Sequence, residues 1–142
     1  MTRDNNRRVT RALRARGEDP VVVERFIYQA KRYLDAWGIV DIISVAPDGH
    51  IRFIQVFSAT NGGNEFRSHY QKLLRNSGVV SKILSNPLAT IELWGWRGKQ
   101  PTMGRMGYFI VWRFRSLDEP PEKVRVYSNG REEAYRYVRR ET

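Results

Sequence analysis

Two runs rich in β-branched and aromatic residues, "GIVDIISV" and "HIRFIQVFSA", are separated by little more than "PDG". Runs of that composition read as strands and Pro-Asp-Gly reads as a tight turn, with Asp48 as the turn former, so the chain between 39–45 and 51–58 has to fold back as a β-hairpin. Alternation along the second strand then puts Ile51, Phe53, Gln55 and Phe57 on one face and Arg52, Ile54, Val56 and Ser58 on the other. Gln55 points where two phenylalanines point. A buried amide needs hydrogen-bond partners for its carbonyl and its NH₂, so this position belongs to a structural network or to a site. The first strand carries its own polar interruption, Asp41.

The flanking sequence supplies the other elements of an α/β domain. Residues 6–16 read as a short helix, with Val9, Ala12 and Leu13 as its apolar stripe and Gly17 as its stop. "PVVVERFIY" reads as a strand from Val21 to Tyr28. In "EFRSHYQKLLRN", Phe66, Tyr70, Leu73 and Leu74 recur at i, i+4, i+7 and i+8, the signature of a helix with one buried face, expected over 64–76 and packed on the hairpin. "VVSKIL" reads as a further helical turn. "ATIELWGWR" and "YFIVWRFRS" are two more strands, and in each pair Trp94/Trp96 and Trp112/Phe114 share a face, one pair expected in the core and the other beside a nucleic-acid surface. After "EPPEK" come a short extended piece, "VRVYSNG", and a helix, "REEAYRYVRR", with Glu132 and Arg136 at i, i+4. Hairpin and crossover connections both occur, so the sheet should be mixed, flanked by helices. The expected division is an α/β domain over 1–117 and a basic C-terminal appendage over 118–142.

Charge narrows the partner. Lys and Arg number 25 against 15 Asp and Glu, a net charge of +10, and arginine supplies most of it. Such an excess attracts polyanions, and the planar guanidinium fork suits phosphate. The arginines expected to contact nucleic acid are Arg7, Arg8, Arg11, Arg67, Arg97, Arg113, Arg115, Arg139 and Arg140; Arg113 and Arg115 share the face opposite Trp112. With no cysteine, disulfides, thiolate catalysis and cysteine zinc sites are excluded. No run approaches the ~20 apolar residues of a membrane span, and the N-terminus has no signal-peptide core, so the expectation is a cytoplasmic protein with DNA as its partner and no membrane role, acting alone or as a homodimer.

Asp41 and Gln55 on adjacent strands form a pairing with chemical content. A carboxylate and an amide oxygen can jointly bind Mg²⁺, which prefers oxygen ligands and takes phosphate oxygens as well. Such an ion activates water and neutralises a transferring phosphate. Glu24 is a supplementary ligand candidate. A strand-end aspartate bonded to backbone or to an arginine is the alternative for Asp41.

On these residues, "AWGIVDIISVAPDGHIRFIQVFS" resembles the catalytic hairpin of the PD-(D/E)xK, or restriction-endonuclease-like, nucleases, which include Holliday-junction resolvases and many phage nucleases. Asp41 matches the family's Asp, Gln55 its Glu or Gln, and Val56 the middle residue, whose backbone carbonyl the resemblance adds to the metal ligands. Asp35, Gly38 and Asp41, then "QVFS", then a basic helix, then Gly95, Trp96 and Arg97 look like a phage and bacterial branch, which is compatible with a phage or viral origin. The resemblance implies a restriction-endonuclease-like core and an endonuclease using Mg²⁺ or Mn²⁺, with structure-specific cutting within its range. Phe57 stands where the family has lysine. The branch moves that cation to the following helix, which makes Lys72 the catalytic candidate and Lys82 the second. The competing expectations are a catalytically inactive nuclease-fold protein that binds DNA or serves in assembly, and an RNA-binding module with exposed stacking aromatics.

Overall fold

The computed structural model describes residues 2–27, 32–34, 36–59, 64–98 and 107–135. The chain runs α1 (Thr2–Ala15), β1 (Asp19–Val22), β2 (Arg25–Ile27), β3 (Arg32–Leu34), β4 (Ile42–Val45), β5 (Ile51–Ser58), α2 (Asn64–Arg75), α3 (Ser77–Leu84), β6 (Ala89–Arg97), β7 (Tyr108–Phe114), β8 (Glu122–Tyr127) and β9 (Glu132–Ala134). Seven strands form one mixed sheet in the order β1-β4-β5-β6-β7-β8-β9, in which β5 and β6 are parallel and every other pairing is antiparallel. The parallel pair requires a crossover, and α2 and α3 provide it.

The expected hairpin is β4–β5, with Ile42 opposite Ile54 and Val45 opposite Ile51. Its turn is closed by Gly49 N–H on Ala46 C=O at 2.9 Å and by Asp48 Oδ1, which accepts the His50 N–H at 3.0 Å. Helix α1 ends as expected. Gly17 takes the left-handed conformation at φ 83°, and the Glu18 N–H turns back onto Leu13 C=O at 3.0 Å.

Helices cover both faces of the sheet. Val9 and Leu13 of α1 are buried against Ile42, Ile54, Val56, Trp94, Phe109, Val111, Val124 and Val126. On the opposite face Phe57, Ile91, Leu93 and Phe114 pack with Leu73 of α2 and Val80 of α3. An aromatic stack joins that second layer: Phe57 to His69 at 4.5 Å, Phe66 to Trp112 at 4.5 Å and Tyr70 to Phe114 at 5.6 Å. Both tryptophan-bearing pairs are thus core. Trp94 is fully buried, and Trp96 packs at the edge of the α1 layer under the Arg8 guanidinium, 4.9 Å from its ring.

Three expectations are corrected. The strand read from Val21 to Tyr28 is broken at Val23 and Glu24, whose N–H groups turn onto Asp41 C=O at 2.8 and 3.3 Å; β2 then pairs with β3 in a separate two-stranded sheet, and Tyr28 lies outside the described residues. The helix expected from Arg131 begins instead as strand β9, paired to β8. Helix propensity in "REEA" is outweighed by strand-spaced polar partners, with Glu132 reaching Arg113 at 2.7 Å on one side and Glu133 reaching Tyr127 at 2.6 Å and Arg125 on the other. The boundary expected after residue 117 falls between β7 and β8, neighbouring strands of one sheet.

One turn is strained. Trp37, Gly38 and Ile39 link Ala36 to Val40, and the first two have positive φ, 55° and 73°. Glycine adopts that conformation without cost, whereas a residue with a Cβ loses about 1 kcal/mol or more there.

Candidate functional site

The residues singled out around the hairpin meet where β4 begins. Asp41 stands one residue before the strand, and its N–H donates to Ile54 C=O at 2.8 Å. Its carboxylate oxygen Oδ2 accepts the Val56 N–H at 2.8 Å, so it grips the peptide unit that joins Gln55 to Val56. Local geometry explains the bond. Ile54 and Val56 direct their backbone groups toward β4, and since β4 pairing starts only at Ile42, the buried Val56 N–H would have no strand partner without Asp41. The Val56 C=O leaves the strand on the same side as its N–H.

Gln55 is 2 % exposed, and its Oε1 has no hydrogen-bond partner among the described residues. Its side chain belongs to the Phe53/Phe57 face by alternation. A buried acceptor without a donor costs about 1–3 kcal/mol. Beside it Phe57 lies in the aromatic stack, at the position where the resemblance calls for lysine.

The loop after β1 brings one further carboxyl-bearing residue beside Asp41. Glu24 is brought next to Asp41 through its N–H on Asp41 C=O, and its Oε2 accepts Asn6 Nδ2–H at 3.0 Å. Asn6 is 5 % exposed, and its Oδ1 has no hydrogen-bond partner among the described residues; Asn5 Nδ2 donates to Ser58 Oγ at 2.9 Å. Neither asparagine was singled out in the sequence, although both continue the spacing of the α1 apolar stripe and are polar where that stripe is buried. Among the described residues no group of three or more histidine or carboxylate side chains is placed to share an ion.

Lys72 sits on α2 and is half-buried. Burial and, after it, the positive charge of Lys72 lower the pKa of His69 to about 4, so this imidazole is neutral at physiological pH. Lys72 therefore lies within electrostatic reach of the ring that covers Phe57. Lys82 is exposed on α3.

The arginines divide. Arg7, Arg8 and Arg11 are exposed on α1, with Arg8 also donating to Asn5 Oδ1 at 2.8 Å; Arg67 and Arg115 are exposed, and Arg97 is half-buried at the end of β6 with its Nε buried and unpaired among the described residues. Arg139 and Arg140 lie outside the described residues, as does Asp35. Arg113 corrects the expectation of a phosphate contact: it is 6 % exposed and its guanidinium engages Glu92 at 3.3 Å, Glu132 at 2.7 Å and Glu122 at 3.5 Å.

Glu92 is the centre of that second network and was missed in the sequence. It has no exposed surface, and it accepts from Thr90 at 2.6 Å, Arg52 at 2.8 Å, Arg113 at 3.3 Å and the Trp94 indole at 3.0 Å. Arg52 in turn donates to Glu18 at 3.0 Å. Burial alone would raise the Glu92 pKa, but Arg113 and Arg52 outweigh it and hold the carboxyl at about 2. The signal in the sequence was the one that marked Asp41, a carboxylate interrupting an apolar strand, here in "TIELW". With both carboxylate oxygens of Glu92 engaged, this network ties β5, β6, β7 and β9 together.

Comparison with protein families, with characterised proteins and with solved structures finds no match to this chain.

Proposed function

We propose that this protein binds DNA and hydrolyses its phosphodiester bonds with a divalent ion, Mg²⁺ or Mn²⁺, held by Asp41 and Gln55 on a restriction-endonuclease-like core. The observation that carries the reading is the buried Oε1 of Gln55, without a donor among the described residues, on the residue whose peptide bond to Val56 the Asp41 carboxylate grips. The donors fit a hard cation, since all are oxygens: the Asp41 carboxyl, the Gln55 amide, the Val56 carbonyl and, one step out, Glu24. When bound, the ion supplies Lewis acidity, lowering the pKa of a bound water and neutralising charge on the phosphate. Asp41 orients the donor set by fixing the Gln55–Val56 peptide, while Lys72 supplies a positive charge near Phe57. The order of α1, the hairpin, the α2–α3 crossover and a strand ending in Gly95, Trp96 and Arg97 keeps the order of the PD-(D/E)xK motifs.

Phe57 favours a second reading. The residue is 4 % exposed and its ring stacks with His69 and with Trp112, so the family's lysine position is part of the core, as in a protein that retains the fold and binds DNA without cutting it.

The two separate in a melting experiment. With a bound ion the melting temperature of the wild-type protein rises with Mn²⁺ by several degrees, because a ligand selective for the folded state stabilises it by mass action. Gln55→Leu raises the metal-free melting temperature by removing the donor-less acceptor and abolishes the Mn²⁺ response. A wild-type melting temperature indifferent to Mn²⁺ and Mg²⁺ leaves the non-catalytic reading.

The exposed face of α1 is the electrostatic part of the same proposal. Replacing Arg7 and Arg11 together with Ala lowers the slope of log K against log salt for duplex DNA by about 0.9 for each phosphate that these arginines neutralise. An unchanged slope moves the DNA surface off α1.

A further inference from the structure

Trp37 is 52 % exposed, while Trp94, Trp96 and Trp112 pack into the two core layers. It occupies the first corner of the turn from Ala36 to Ile39, closed by the Ile39 N–H on Ala36 C=O at 3.0 Å and by two hydrogen bonds between Ala36 and Val40 at 2.9 and 3.0 Å. Positive φ at both corner residues is the pattern of a type I′ turn, whose first corner suits Asn or Asp and disfavours bulky side chains. Tryptophan therefore gains nothing there from backbone preference and little from burial. A large aromatic ring held in solvent on a strained but firmly closed turn is a presented ring, and an observed strain of this kind points toward function.

Its place narrows what it meets. Val40, which closes the turn, is bonded to Asp41, and four residues of chain keep the Trp37 and Asp41 Cα atoms within about 14 Å of each other. That span keeps the turn bearing the indole within a few nucleotides of a phosphate placed at the candidate site. The net charge of +10 makes a nucleic acid the occupant that the whole molecule attracts. Every base has a π face on which an indole can stack without regard to sequence, but within a duplex those faces are already covered by neighbouring bases.

We propose that Trp37 stacks on an unpaired nucleobase, so that the substrate is DNA with an unpaired base, a single strand or a branch point, in preference to an intact duplex. This rests on the DNA-binding reading above and adds the substrate class to it.

The test compares wild type, Trp37→Asn and Trp37→Phe by fluorescence anisotropy in EDTA, using a labelled oligothymidylate and a blunt duplex of matching length, with melting temperatures as a control on folding. Asparagine suits the turn, so Trp37→Asn melts no lower than wild type; it binds oligothymidylate about tenfold more weakly, as removal of one stacked base implies, and binds duplex unchanged. Trp37→Phe recovers part of the affinity. Equal weakening on both probes, or no weakening on oligothymidylate, overturns the stacking role while leaving DNA binding intact. A wild-type protein that binds neither probe overturns the DNA reading and this proposal together. If Trp37→Asn instead converts a dimer to a monomer in sedimentation with oligothymidylate affinity unchanged, the indole serves self-association and the stacking role is overturned.

Discussion

Glu92→Ala lowers the stability of the fold at neutral pH by about 3 kcal/mol, measured by urea unfolding, because it takes the carboxylate from the buried Nε of Arg113 and from one arm of Arg52 in the sheet interior, while Glu132 and Glu18 still hold the rest of the two guanidinium groups. Few single substitutions cost more. Glu92→Gln falls in the same direction, since the amide keeps the shape and loses the charge. The same group dictates a pH dependence. Its carboxyl is held at about 2 in the folded chain against an ordinary value of 4.5, so the unfolded chain binds more protons between those limits. Its stabilisation is complete above the ordinary carboxylate range and is lost as pH falls through about 2. Glu132, which burial would raise but whose hydrogen bond from Arg113 lowers it, works in the same direction. In Glu92→Gln the fall in stability below the carboxylate range is correspondingly shallower; an acid profile parallel to wild type would mean that Glu92 is not the group being titrated.

Asp41→Asn eliminates metal-dependent cleavage of DNA and leaves DNA affinity within about twofold, the change expected when an anionic ligand is removed and the basic surface is untouched. The structure makes Asn the informative replacement. Its Oδ1 can still accept the Val56 N–H, so the β4–β5 junction persists, whereas Asp41→Ala would also leave that N–H buried without a partner, at about 1–3 kcal/mol. Absence of cleavage in Asp41→Asn together with an unchanged melting temperature separates the ligand role from the structural one. Retention of cleavage would reduce Asp41 to a cap on β5.

The hairpin was legible because two strand-forming runs flanked a Pro-Asp-Gly turn, although its first strand begins at Ile42 and not at Ile39. The core faces were legible for the same reason: alternation in 51–58 sends Ile54 and Val56 to one layer and Phe53 and Phe57 to the other, and the spacing of Phe66, Tyr70 and Leu73 marks the side of α2 that packs on the second. What escaped was set by partners distant in sequence. "REEA" reads as helix until Arg113 and Arg125 pull Glu132 and Glu133 to opposite sides of a strand. Arg113 alternates with its neighbours like a surface arginine, and only the convergence of Glu92, Glu122 and Glu132 buries it. At the candidate site Asp41 and Gln55 could be paired from the hairpin alone, but the role of the Asp41 carboxylate on the Val56 peptide depends on β4 beginning one residue after it. Asn6 of α1 and Glu24 of the loop after β1 bond to each other next to Asp41 in the chain fold, a meeting that no local pattern announces.

The most direct measurement is cleavage by the wild-type protein of linear duplex, single-stranded and four-way-junction DNA in Mg²⁺, Mn²⁺ or EDTA, with Asp41→Asn run beside it. If Asp41 and Gln55 hold a catalytic ion, at least one DNA is cut in Mg²⁺ or Mn²⁺, and none is cut in EDTA or by Asp41→Asn. DNA that is bound in every lane and cut in none would contradict that claim and mark Phe57 as the residue that closed the site.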